Sequence, residues 1–386
     1  MGRKILVCGA GRCNITNINL NSNFAKRYYG ASEKFINSII EQFSYEQIIG
    51  FFLDLGIKLY VERKTNIGKL FPITDQAKTV TALLEDEILS LGIEIMLNTN
   101  CKKIEPTTDQ EYKLHLTSEP EPSTNNIVKA KYVVISAGGK TYPALGSNGS
   151  GYDLARSLGH KIITPVPSAL PLESKNQLSH GLQGIKMEME VTSIIAGEVI
   201  KRTTDDVLFT QYGLSGPAIL NVSREISIRI NREQKQDVEL SLNFFPGETK
   251  LTVEHILKQR WIKRPEQQLE KSFYGIFPNK VPLVFLKLLN LDPQVKVREV
   301  TSAQLELIVT NLTNWRVKIS GTKGWNEAEF TAGGVHTKEI KHTSLASTIH
   351  PRLYFCGEIL DVDGDVGGFN LSWAWSSGYV AGKLLI

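Results

Sequence analysis

Metal-ligand spacings, long apolar runs, a leader segment and a one-sided charge are all missing from this chain. Its four cysteines (Cys8, Cys13, Cys101, Cys356) form no C-x-x-C pair. That excludes a zinc ribbon and leaves free, buried thiols as the default. The seven histidines are scattered with no H-E-x-x-H, so no metal site is expected. No stretch of about 18 apolar residues offers a membrane span, and the N-terminus has no signal-peptide core, so the expected location is cytoplasmic. The net charge of +4 is mild and spread out, which favours neither nucleic acid nor membrane as a partner. No internal repeat or low-complexity tract occurs.

What remains is 386 residues with 41% hydrophobic content, enough for two or three domains and a large core. The richest stretch lies at the far end. Leu353 to Cys356 read as a strand buried on both faces, as in a parallel sheet. Gly357, Glu358, Asp363, Gly364, Gly367, Gly368, Phe369 and Asn370 follow in a loop before a closing helix that runs to Ile386. The glycines admit a ligand close to backbone N–H groups, and Asn370 is expected at the helix N-cap. The start of that helix favours negative charge, so a ligand with a delocalised anionic edge suits it, a reduced flavin among them. The Asp361-x-Asp363-x-Asp365 run is not a calcium loop, because Val366 stands where glycine is needed and Ser372 where the twelfth-position carboxylate is needed.

In chain order, Lys4 to Cys8 are expected as a short strand feeding a polar loop with Gly9, Gly11, Arg12, Cys13 and Asn14. This is not a dinucleotide fingerprint, since Asn14 replaces the third glycine and no amphipathic helix follows. Arg12, Asn14 and Asn17 are its candidate donors, and Cys13 reads as a buried thiol. Ser44-x-x-Gln47 opens a helix with Ile48, Ile49, Phe52 and Leu53 on one face. A strand over 57–61, a turn over Asn66–Pro72 with a solvated Lys69, a helix over 77–91 and a strand over 93–97 continue an α/β alternation. Residues 102–131 read as an antiparallel meander. Tyr132 to Ala137 form a buried strand that ends in Gly138 and Gly139, where ligands approach an open α/β sheet. After Pro165 the pattern becomes β-like to about residue 245, with Gly213–Pro217 as a turn and Ser215 a turn serine. Residues 252–311 read as helical and basic, with a Thr301-x-x-Gln304 capping box, and 315–335 return to strand and turn around Gly333–Gly334.

Five ordered motifs resemble the YhiN/BaiN-type flavoproteins: Gly2-Arg-Lys-Ile through Asn17, Gly68 to Pro72, Phe209 to Pro217, Thr331 to Gly334, and Gly357 to Asn370. The resemblance implies a glutathione-reductase-like, α/β FAD-binding domain interrupted by an inserted β-barrel and a helical part. The implied division is 1–165 together with 321–386, then 166–246 and 247–320. It also implies that Gly357 and Glu358 hold the ribityl chain, the loop to Asn370 the flavin ring, and Gly9 to Asn14 the ring's neighbourhood. The expected activity is FAD-dependent oxidoreduction of a small molecule, with NAD(P) as the candidate electron donor and no catalytic acid or base assigned. Family members carry a G-x-G-x-x-G βαβ unit ahead of the Gly-Arg-Lys-Ile stretch. The resemblance therefore implies that roughly 30–40 residues, one such unit, are absent: either translation starts further upstream, or this is a degraded relative that binds FAD poorly. The alternatives are a cofactor-poor, non-catalytic interaction protein and, on the basic insert alone, a flavoprotein acting on RNA.

Overall fold

Val133–Ile135 and Leu353–Phe355 are short apolar runs, each followed by glycine, and they pair in parallel, Val133 with Leu353 and Ile135 with Phe355. The Val133 N–H donates to the Arg352 carbonyl (3.0 Å) and the Cys356 N–H to the Ile135 carbonyl (3.3 Å), which extends the pair at both ends. The other edge of Leu353–Phe355 is met by the chain at 345–347: the Ser347 N–H donates to Leu353 and the Phe355 N–H to Leu345. This strand is thus paired on both sides, as buried backbone groups require.

These strands belong to a computed structural model that describes residues 2–21, 23–62, 68–118 and 126–383. The chain divides into two compact units, Met1–Pro167 with Phe330–Ile386, and Ser168–Glu329. In the first, the closing helix Phe369–Lys383 buries Trp373, Val380 and Ala381. The helices Glu33–Ile40 and Tyr45–Asp54 pack against it. The second of these opens with the expected capping box, the Ser44 N–H donating to Gln47 Oε1 at 2.8 Å. Ile48 and Phe52 face the core, but Leu53 points to solvent. Leu59–Val61 and Lys69–Pro72 pair antiparallel; the first residues of the expected 66–72 turn lie outside the described residues. The meander is present as Thr99–Pro106, Tyr112–Ser118 and Asn126–Ala130. No helix among the described residues is long and apolar enough to cross a membrane.

Two expected strands in this unit are absent. Ile5–Val7 form a 3₁₀ turn, closed by Ile5 N–H to Gly2 and Cys8 N–H to Ile5. Residues 93–97 are not a strand, and Ile93, Met96 and Leu97 are about half exposed or more (52%, 48% and 63%). In neither place is there a neighbouring strand to accept a ladder, so local bonds or water take the backbone groups instead. Leu91, expected on the apolar face of Ala77–Ser90, is exposed as well.

The second unit is one antiparallel sheet of seven strands. In order these are Trp315–Lys318, Val238–Asn243, Lys186–Ile195, Glu198–Thr210, Gly213–Ser215, Leu172–Glu173 and Gly321–Thr322. The expected β-barrel is not found: the ladder does not close, and its two end strands follow one another in the chain. The expected turn at 213–217 is instead a strand followed by a helix, Pro217–Ser227. Pro217 at the first helical position suits a helix start, and Ile219, Val222 and Ile226 form its buried face. The helices Lys250–Lys263, Lys280–Leu288 and Ser302–Thr313 share one core with the sheet, in which Leu240, Phe285 and Ile308 are all buried. The Thr301 box is formed, with the Thr301 N–H donating to Gln304 Oε1 at 2.9 Å.

Candidate functional site

Because Val133–Ile135 and Leu353–Phe355 run in the same direction, the glycines that follow them leave the sheet at one carboxyl edge. In open α/β sheets that edge is where ligands bind. Gly138 and Gly139 come from one strand, Gly357 and Glu358 from its neighbour, and the first unit brings them together. A side chain at Gly139 would place its Cβ against Thr331 Oγ1 and 2.7 Å from Glu358 Cδ. One Glu358 oxygen accepts the Thr331 N–H (2.8 Å) and the other takes Lys4 Nζ (2.6 Å). Thr331 Oγ1 in turn accepts the Lys140 N–H (2.9 Å), and Lys4 Nζ also reaches Thr141 Oγ1 (2.5 Å). The Glu358 side chain keeps 20% of its surface exposed, and a carboxylate with two partners still has acceptor capacity. The helix Ser150–Ser157 is seated on the same edge: a Cβ at Gly151 would lie 2.7 Å from Ala137 and 2.8 Å from Ile359.

The far-end loop is held from several sides. Asp363–Gly364 pair antiparallel with Tyr28–Tyr29. Asp363, one of the loop's candidate ligand-binding residues, is buried to 1% exposure. The Tyr29 hydroxyl donates to Asp365 (2.9 Å), and Arg27 pairs with the same carboxylate (3.4 Å). Asn370 is not the helix N-cap; the helix starts at Phe369. The Asn370 amide instead turns back, accepting the Gly364 N–H (2.8 Å) and donating to the Gly364 carbonyl (2.9 Å). Phe369, expected at the ligand, lies in the core edge-on to Tyr28 at 6.0 Å. Gly367 and Gly368 have φ of 131° and 105°, in the range that favours glycine. A Cβ at Gly368 would sit 2.6 Å from the Thr16 carbonyl oxygen and 3.0 Å from Asn14 Oδ1.

The N-terminal loop therefore meets the far-end loop at Asn14 and Gly368. Asn17 joins the two as well, donating from Nδ2 to the Gly367 carbonyl (2.8 Å). Asn14 Oδ1 is buried and has no hydrogen-bond partner in the protein. Gly9 lies beneath Asn14, whose backbone nitrogen would be 3.1 Å from a Cβ there. The Gly11 carbonyl is taken by the Ala77 N–H (2.8 Å). Arg12 is not a free donor: it pairs with Glu62 (2.9 Å) and lies over the Phe71 ring at 4.0 Å. Cys13 is fully buried, and burial first, then the neighbouring Cys8, pushes its thiol up to about 12. At neutral pH it is a protonated thiol and a poor nucleophile. Burial alone puts Cys356 in the same state, also at about 12.

Sequence reasoning missed Lys4, Thr16, Ser147, Tyr152 and Thr331 as members of this site. Thr331 opens the Thr331–Gly334 motif and Tyr152 follows Gly151, and these were the signals available. Nothing in the local sequence marks Lys4 as the partner of Glu358.

Glycine turns at the carboxyl ends of parallel strands, with a carboxylate between them, define a Rossmann-like α/β domain. The chain belongs to the HI0933-like protein Rossmann domain family, whose model matches residues 1–384, and the resemblance to YhiN/BaiN-type proteins holds. It is 30% identical over 383 residues to a 3-dehydro-bile acid delta(4,6)-reductase of Clostridium scindens, covering 99% of this chain and 90% of that protein. It is also similar to ribosomal RNA dihydrouridine synthases. The Escherichia coli protein is 29% identical over 386 residues (100% of this chain, 89% of the relative). The Haemophilus influenzae protein is 28% identical over 381 residues (98% and 88%).

Proposed function

We propose that this chain is a flavin-dependent reductase that saturates a carbon–carbon double bond conjugated to a carbonyl, with FAD as its cofactor and NAD(P)H as the electron source. The observation that carries the reading is the edge where Gly138, Gly139, Gly357 and Glu358 emerge together, joined to a loop with an orphaned acceptor at Asn14. The names of the relatives supply the reaction class. A delta(4,6)-reductase acting on a 3-oxo compound and a dihydrouridine synthase both add two hydrogens to a double bond conjugated to a carbonyl.

The residues present fit a flavin. Asn14 Oδ1 is an unpaired acceptor beside a turn, Gly367–Gly368, that a Cβ would fill. The helix Phe369–Lys383 presents its N-terminal end at the same turn, which favours the anionic edge of a reduced ring. Glu358 is the carboxylate placed to accept from ribityl hydroxyls, and Lys4 balances its charge. A bound flavin would supply the hydride. This chain's own residues orient it: Asn17 and Ser372 fix the turn, the latter through the Thr16 hydroxyl (2.9 Å) and the Gly368 carbonyl (2.9 Å). The protonated Cys13 thiol takes no nucleophilic part.

RNA as the substrate is the second reading. Lys263, Arg264 and Lys271 have no acidic partner among the described residues, whereas Lys250, Lys258, Lys296 and Arg298 are paired. Anaerobic incubation of the flavin-loaded protein with NAD(P)H and either a conjugated enone or a uridine-containing RNA separates the two readings. Saturation of the enone supports the first and dihydrouridine in the RNA the second. Oxidation of NAD(P)H with neither product overturns the reaction class.

A further inference from the structure

Buried polar atoms without partners are rare in folded proteins, because each forfeits its water and gains nothing in return. Two of those in this chain, Ser147 Oγ and Tyr152 Oη, lie in the entry to one helix, Ser150–Ser157. Both residues are more than nine-tenths buried, at 7% and 4% exposure. The helix start is wedged against Ala137 and Ile359 by the close approach at Gly151, so these hydroxyls border the strand ends that deliver Gly138 and Glu358. Ser147 Oγ is 3.2 Å from where a Cβ at Gly138 would stand. The Tyr152 hydroxyl lies within reach of Thr331; burial first, then the Glu358 charge, hold it protonated against the opposing effect of Thr331, with Asp361 adding a smaller push in the same direction as Glu358. It is therefore a donor at every working pH, yet it makes no hydrogen bond of good geometry within the protein. The Glu358 carboxylate next to it is bridged by Lys4 and the Thr331 N–H but retains acceptor capacity.

We propose that Tyr152 is a ligand-binding residue whose hydroxyl donates to a hydroxyl of the flavin's ribityl chain, the same chain from which Glu358 accepts. A polyol suits this pair better than a carbonyl or a phosphate. A ligand hydroxyl can accept from Tyr152 while donating to Glu358; a carbonyl has no proton to give the carboxylate, and a phosphate would repel it. Ser147, the second orphan, is placed to serve a further hydroxyl of the chain. The inference rests on the flavin reading above, and it makes an otherwise unrewarded buried phenol part of a built site.

The test compares the full chain with Tyr152→Phe, reading FAD affinity by titration and the unfolding midpoint of the flavin-free protein. The phenyl ring keeps the packing and removes only the oxygen. The expected result is an FAD affinity at least fivefold weaker, with a flavin-free midpoint equal to or higher than that of the parent, by roughly 2–4 °C. Binding within fivefold of the parent overturns the proposal. So does a lower midpoint, which would mean that the hydroxyl supports the fold. A parent chain that binds no FAD sinks the flavin reading itself, a distinct outcome that takes this inference with it.

Discussion

Replacing Gly139 by alanine probes the junction on which the account depends. The added Cβ would press on Thr331 Oγ1 and stand 2.7 Å from Glu358 Cδ. Neither neighbour gives way freely. Turning the Thr331 hydroxyl aside forfeits its bond from the Lys140 N–H, worth about 0.5–1.5 kcal/mol. Moving Glu358 strains its contacts to Lys4 and the Thr331 N–H. With overpacking at about 1–3 kcal/mol, the expected destabilisation is roughly 2–4 kcal/mol, read as a shift in the denaturant midpoint without a change in slope. FAD affinity falls alongside, because the displaced carboxylate is the one assigned to the ribityl chain. Gly159→Ala is the control: its φ of +83° makes alanine strained, but nothing lies within 4 Å of the new methyl group. It costs stability and leaves FAD affinity unchanged. Adding Thr331→Ala to Gly139→Ala removes the atom in conflict, so the pair couples favourably by about 1 kcal/mol or more. Strictly additive effects in that cycle, or normal FAD affinity in Gly139→Ala, would refute the reasoning.

Three further outcomes follow from the same structure. His160 is buried between Glu339 (3.2 Å) and the Ser347 hydroxyl (2.9 Å), and desolvation outweighs Glu339 to lower its pKa. The unfolded chain then binds the proton more readily, so stability is full above about pH 6.5 and falls as the pH drops below it. Unfolding midpoints of the parent and His160→Gln across that range check this; the variant loses the slope, and equal slopes contradict it. Cys13 and Cys356 are buried and protonated, while Cys8 and Cys101 are half-exposed. A thiol reagent near pH 8 should label Cys8 and, more slowly because burial raises its thiol's pKa, Cys101 in the native protein, and all four cysteines after denaturation. Asn370→Ala removes both bonds that close the Gly364 turn, an expected loss of about 1–3 kcal/mol with weaker FAD binding; a variant with the parent's midpoint and flavin content argues against that role.

What the sequence made legible were features decided locally. An apolar run ending in Gly138–Gly139 or Gly357 is a buried strand wherever it falls, and the boxes at Ser44 and Thr301 need only residues three apart. The misjudged features depend on partners. Ile5–Val7 and the 93–97 stretch have strand-like side chains, but a strand exists only where another backbone accepts its bonds. Pro217 opened a helix because Gly216 (φ +94°) allowed the turn into it, a conformation that no residue type announces. In the site, the glycines were visible and their supports were not. Lys4 reaches Glu358 across 354 positions of sequence. Phe369 and Asn370, expected at the end of the loop, open the closing helix instead, and their facing is set by Tyr28 and Gly364.

The central claim, that the two strand-end glycine turns and the Gly368 turn together hold one flavin, is tested most directly by titrating the purified chain with FAD and recording the visible flavin spectrum. One FAD per chain is expected to bind saturably with perturbed absorption bands, weakened by Gly139→Ala and by Glu358→Gln while Gly159→Ala binds like the parent. Absence of saturable binding, or binding that both site variants leave untouched, would contradict it.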